Sequence, residues 1–128
     1  MSQSLPEVCM RNVLVVEDDE AMREFLVEAI SRSGYIVEAV DNGCDALDRV
    51  SAARFDLLLT DIRMPGLDGL ELARKARVRN PALGVLLVTA YAQDALGATD
   101  FDGTRTDVLS KPFNLNELID RVATILPY

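Results

Sequence analysis

The chain has 128 residues, 49% of them hydrophobic, with a mean hydropathy of +0.12, a net charge of −8 and a pI near 4.4. That is enough chain for one packed domain, which we place at 11–128 behind a mobile leader at 1–10, and too little for two. The acidic balance argues against direct nucleic-acid binding, which needs clustered Lys and Arg. No apolar run approaches the ~20 residues of a membrane span, and the leader lacks the basic start and apolar stretch of a signal peptide.

Strand-like and helical patterns alternate along the chain, the signature of an α/β fold with a parallel sheet. The first strand falls at Asn12–Val16, and a helix follows in which Met22, Phe25, Leu26, Ala29 and Ile30 recur at helical spacing and Gly34 suits the C-terminal cap. The second strand is Ile36–Val40, then an Asp41-Asn42-Gly43 turn and a helix through Ala46, Leu47 and Val50. A third strand, Leu57–Thr60, precedes a helix that starts near Gly69 and stops before Pro81. Val85–Val88 and Asp107–Ser110 are the fourth and fifth strands. The crossover between them holds Gly97, Thr99, Asp100, Asp102 and Gly103, poor helix formers, so a short helix at about Gln93–Ala98 and an irregular loop are expected. The last helix carries Leu115, Leu118, Ile119, Val122 and Leu126, with Asn114 as its N-cap.

Four of these strands end in polar residues: Glu17-Asp18-Asp19, Asp61, Thr89 and Lys111. In an open parallel sheet the C-terminal strand ends share one edge, where such folds bind ligands. Each residue alone has a plainer role. Asp18 or Asp19 could cap a helix, Asp61 could belong to the Pro65-Gly66 turn, Thr89 could be a turn residue, and Lys111-Pro112 could be loop chemistry. Their joint order makes coincidence improbable. Glu17, Asp18 and Asp61 would crowd negative charge, and oxygen-only ligands without histidine suit a hard ion such as Mg²⁺. The chain has no His, and its two cysteines, Cys9 and Cys44, fit no metal or disulfide framework and read as reduced thiols of a cytoplasmic protein. Asp61 could act as a nucleophile, with Thr89 and Lys111 serving phosphoryl oxygens. Carboxylates, metal, hydroxyl and ammonium together make a phosphoryl-transfer site.

These residues make the chain resemble the response-regulator receiver domains from about Arg11 to its end. The resemblance rests on Val-Val-Glu17-Asp18-Asp19, Thr60-Asp61-Ile-Arg-Met64-Pro65 with Asp68-Gly69, Leu-Val-Thr89-Ala90, and Ser110-Lys111-Pro112-Phe113. It implies a doubly wound, CheY-like sheet in the order 2-1-3-4-5. It implies that Asp61 accepts a phosphoryl group from a phosphohistidine donor, a histidine kinase or histidine phosphotransferase. Mg²⁺ would be held by Asp18, Asp61, Glu17 (directly or through water) and the backbone carbonyl of Arg63. Thr89 and Lys111 would bind phosphoryl oxygens, and the bond before Pro112 would be cis. A closer similarity, through Leu-Leu-Thr-Asp61-Ile, Gly69-Leu-Glu-Leu-Ala-Arg74 and Val108-Leu-Ser-Lys111-Pro, is to stand-alone CpdR-type regulators, which implies an output partner of the AAA+ protease (ClpXP) kind.

Two departures from the family pattern stand out. Val108 occupies the place of an aromatic switch residue, which moves the expected output to Tyr91–Thr106 read together with the last helix. Arg63 and Tyr91, each two residues beyond a site residue, are large, which predicts at most slow loss of a phosphoryl group. Competing readings are a receiver excised from a hybrid kinase or DNA-binding regulator, and a Mg²⁺-dependent aspartyl phosphatase. The latter usually needs a second aspartate where this chain has Arg63.

Overall fold

The computed structural model describes residues 10–91, 93–94 and 105–126. Five parallel strands, β1 (Asn12–Val16), β2 (Ile36–Val40), β3 (Leu57–Asp61), β4 (Gly84–Thr89) and β5 (Thr106–Ser110), lie in the order β2-β1-β3-β4-β5. Four helices are described: α1 (Glu20–Arg32), α2 (Gly43–Ala52), α3 (Gly69–Arg79) and α4 (Leu115–Ile125). The crossover from β4 to β5, where a weak helix is expected, falls almost wholly outside the described residues. So do the leader up to residue 9 and most of the Tyr91–Thr106 segment.

The sheet is buried on both faces, and strand alternation decides which side chain goes where. Leu14, Val16, Leu58, Val85 and Leu87 point to one face and pack with Ala46 and Val50 of α2 and Leu72, Ala73 and Ala76 of α3. Val13, Val15, Leu57, Leu59, Leu86, Val88 and Leu109 point to the other, against Leu26, Ala29 and Ile30 of α1 and Leu118, Val122 and Ile125 of α4. The chain steps outward from β1 in opposite directions to reach β2 and β3, so the topological switch lies between β1 and β3. That is where an open α/β sheet leaves a crevice.

Short polar side chains start each of the four described helices. The carboxylate or amide oxygens of Asp19, Asn42, Asp68 and Asn114 accept from the backbone N–H of Met22, Asp45, Glu71 and Glu117 respectively. Glu117 returns a contact to the Asn114 N–H, completing a capping box. At the end of α1, Gly34 at φ 101° donates to the Ser31 carbonyl and Tyr35 to that of Ile30, the paired bonds of a Schellman cap. Two apolar residues leave the expected stripes: Phe25 and Leu115 are exposed at 41% and 49%. Each sits at the rim of its helix stripe, where periodicity cannot tell buried from exposed, and Phe25 meets the Phe113 ring at 6.4 Å instead.

Gly69 opens α3 directly beneath the end of β3. Its N–H donates to the Ile62 carbonyl at 2.8 Å, and a Cβ there would lie 1.9 Å from the carbonyl oxygen of Asp61. Gly69→Ala must therefore push α3 or the Asp61 backbone aside. Overpacking of this kind costs about 1–3 kcal/mol, so urea melts should show that loss and thermal melts a fall on the order of 5–10 °C. Melts matching the parent protein would show that α3 can shift without strain.

Candidate functional site

Register brings the site together. Val16 pairs with Thr60, Asp61 with Val88, and Thr89 with Ser110, so one residue beyond each pairing the strand ends converge. Glu17, Asp18 and Asp61 each place a carboxylate oxygen within 4.8 Å of the others. With Asp19, Arg63, Val88, Thr89, Ala90, Tyr91 and Lys111 they line a cleft of about 180 Å³. A larger hollow of about 380 Å³ lies at the opposite edge of the sheet, lined by Arg11, Arg105, Thr106, Asp107, Thr124 and Ile125. It gathers no comparable set of acids, so the smaller cleft is the candidate site.

Asp61 and Glu17 are buried, whereas Asp18 is exposed at the mouth of the cleft. Asp19 is occupied as the cap of α1, which leaves Asp18 free for another partner. Lys111 reaches between the two buried acids, its Nζ 2.9 Å from Asp61 Oδ1 and 3.3 Å from Glu17 Oε1. Its backbone N–H donates to the Thr89 carbonyl at 2.7 Å, and the peptide bond to Pro112 is cis. Burial opposes the charge on Lys111, but the hydrogen bond to Asp61 and the charges of Asp61 and Glu17 outweigh it and raise its pKa.

Glu17 is the strained member. Burial, a side-chain hydrogen bond with Asp61 and the charge of Asp61 push its pKa up to about 7. The Asp19 N–H, donating to Oε2 at 3.1 Å, and the Lys111 charge oppose the rise without cancelling it. A buried carboxylate that resists ionising beside two others is a site with unmet demand for positive charge. Oxygen-only donors of this kind suit a hard divalent cation.

Thr89 is at the cleft, but its hydroxyl is already engaged. Oγ1 accepts from the Tyr91 N–H at 3.0 Å and lies 2.9 Å from Asp94 Oδ2. Asp94 in turn receives a two-pronged contact from Arg63, Nε to Oδ2 at 2.9 Å and Nη2 to Oδ1 at 3.2 Å. The hydrogen bond from Arg63, aided by that from Thr89, keeps the Asp94 carboxyl below its usual range despite partial burial. The Arg63 guanidinium also lies 4.0 Å over the Tyr91 ring. Asp94 was not legible as a site residue: it lies 31 positions from Arg63, within a stretch readable only as weak helix. Val108 is half-buried against the core and carries no contact to the cleft residues among the described bonds.

The chain is similar to known proteins over nearly its whole described length. The model of the response regulator receiver domain family matches residues 13–123. The chain is 45% identical over 118 residues to the response regulator receiver protein CpdR of Brucella abortus (strain 2308), covering 91% of this chain and 98% of that protein. It is 40% identical over 114 residues to the response regulator MprA of Mycobacterium avium (strain 104), covering 89% of this chain but only 50% of MprA. Among solved structures, the response regulator TrrA of Thermotoga maritima in complex with Mg²⁺-BeF superposes with a TM-score of 0.81 at 34% identity, covering 91% of this chain and 100% of that one.

The raised pKa of Glu17 has a stability consequence with a definite sign. An acid whose folded pKa lies above its unfolded value binds more protons when folded, so stability falls as pH rises from about 4.5 to about 7. In metal-free buffer, Glu17→Gln should therefore be more stable than the parent at pH 8, by roughly 1–3 kcal/mol. The gain should shrink towards pH 5. Urea melts at the two pH values check it, and a gain independent of pH would show that charge on Glu17 is not its source.

Proposed function

The chain belongs to the response regulator receiver domain family, and from that premise we propose that Asp61 accepts a phosphoryl group from a phosphohistidine donor. The donor is a histidine kinase or a histidine phosphotransferase. An Asp61 carboxylate oxygen forms the bond to phosphorus as the phosphorus–nitrogen bond of the donor breaks, leaving an acyl phosphate. The observation that carries this reading is the Lys111 ammonium 2.9 Å from Asp61 Oδ1 in a cleft where three acids converge. Glu17, Asp18 and Asp61, with the Arg63 backbone carbonyl, would hold Mg²⁺, which supplies positive charge between the carboxylates and the phosphoryl oxygens. Lys111 keeps a charge on the acceptor side of the cleft, and Thr89 is placed to donate to a phosphoryl oxygen once its present partner is released.

The output is protein contact. The net charge of −8 disfavours a nucleic-acid partner, and no described helix is long and apolar enough to cross a membrane. The near-complete overlap with CpdR supports a CpdR-like adaptor role in the cytoplasm, with a AAA+ protease of the ClpXP kind as output partner. Arg63 stacked on Tyr91 beside Asp61 supports slow hydrolysis of the acyl phosphate, because an attacking water needs an open in-line path.

Acetyl phosphate with Mg²⁺ should add one phosphoryl group by intact mass, and Asp61→Asn should add none. Labelling of Asp61→Asn to the same extent would move the acceptor elsewhere. Mg²⁺ at about a hundred times its Kd should stabilise the fold by about 2.7 kcal/mol, because the ion binds the native state. Asp18→Asn should lose most of that gain; an equal gain in the variant would remove Asp18 from the metal site.

A further inference from the structure

Thr89 has one hydroxyl proton to donate; the Tyr91 carbonyl lies within reach at 3.2 Å, but two charged acceptors have the stronger claim on it. One is the Asp94 carboxylate, whose Oδ2 lies 2.9 Å from Thr89 Oγ1. The other, on the reading of Asp61 as phospho-acceptor, is a phosphoryl oxygen in the adjoining cleft. Asp94 does not line that cleft. It lines the neighbouring groove with Ile62, Arg63, Met64, Pro65 and Leu70, so Arg63 stands between the two. The hydroxyl therefore serves one acceptor or the other.

We propose that Asp94 is a positioning residue that holds the Thr89 hydroxyl in reserve and competes with the phosphoryl group for its proton. Three contacts make the hold firm. The Thr89–Asp94 bond is charge-assisted, hence stronger than a neutral one. Asp94 is pinned by both prongs of Arg63, with only 12% of its side chain exposed. The Thr89 oxygen is oriented by the Tyr91 N–H at 3.0 Å. Phosphorylation of Asp61 adds negative charge on the far side of Arg63, which draws both the Thr89 proton and the guanidinium away from Asp94. Loss of the Thr89–Asp94 bond and of the Arg63 fork on Asp94 is then one event. The same three contacts stabilise the unphosphorylated arrangement against spontaneous switching.

The test is titration calorimetry with beryllofluoride, a phosphoryl mimic, at fixed Mg²⁺. Asp94→Ala should bind it roughly tenfold tighter than the parent, since no charge-assisted bond has to be given up. Asp94→Asn, which keeps an oxygen for the hydroxyl but loses the charge that holds Arg63, should fall between. In a Thr89→Ala background the gain from Asp94→Ala should vanish, because the competition has lost its object. A merely structural role for Asp94 would persist in that background. Unchanged or weaker binding by Asp94→Ala, or a gain that survives without Thr89, overturns the proposal while leaving Asp61 as acceptor. If the parent protein neither binds beryllofluoride nor gains mass from acetyl phosphate, the acceptor reading fails and the competition falls with it.

Discussion

Lys111 between Asp61 and Glu17 is the contact on which the cleft depends. Two buried acids side by side would repel each other, and the pKa of Glu17 is already pushed up to about 7. The ammonium is the one cation in direct contact with both acids among the described residues. It comes from the turn after β5, on the far side of β4 from Asp61, so the cleft closes only when the sheet from β1 to β5 is complete. The site is thus a readout of the whole fold rather than of one loop. Burial that makes the acids costly also sharpens every charge brought near them.

That arrangement separates the tasks of neighbouring residues. Of three consecutive acids after β1, Glu17 turns inward, Asp18 stays at the mouth, and Asp19 turns back to cap α1. One short acidic run therefore supplies a buried carboxylate, an accessible carboxylate and a helix start. Beyond β3 a similar division holds: Asp61 faces the cleft, Arg63 faces Asp94 and Tyr91, and Asp68 caps α3. Gly69 lets α3 start close enough to β3 for this spacing to exist.

The strands and the meeting of Glu17, Asp18 and Asp61 at one edge were legible because both follow from simple rules, whereas the strand order came from the family resemblance. Apolar runs of strand length end in polar residues, and parallel connectivity sends those ends to one edge. The helix start at Asn114 follows from side-chain chemistry within three residues, and of the two candidates Asp18 and Asp19 the structure uses Asp19. Phe25 and Leu115 were misjudged because a helical stripe has edges that spacing alone cannot locate. The partner of Thr89 was not legible for a different reason. Its identity depends on Arg63 and Asp94 meeting across a loop, and no periodicity encodes a pair 31 residues apart. The high pKa of Glu17 likewise arises from burial, which a sequence shows only as a neighbour of valines.

Thr89 and Lys111 are tied to each other through the backbone. Thr89 pairs with Ser110 in the β4–β5 ladder, and the Lys111 N–H donates to the Thr89 carbonyl at 2.7 Å. Their separation is set by the sheet and not by the chain that runs between them. Insertions or deletions in that connection leave the distance from hydroxyl to ammonium where the ladder puts it. Beyond Asp94 the connection is thereby released from this spacing, and its length and composition can diverge to suit a partner while the cleft keeps its dimensions.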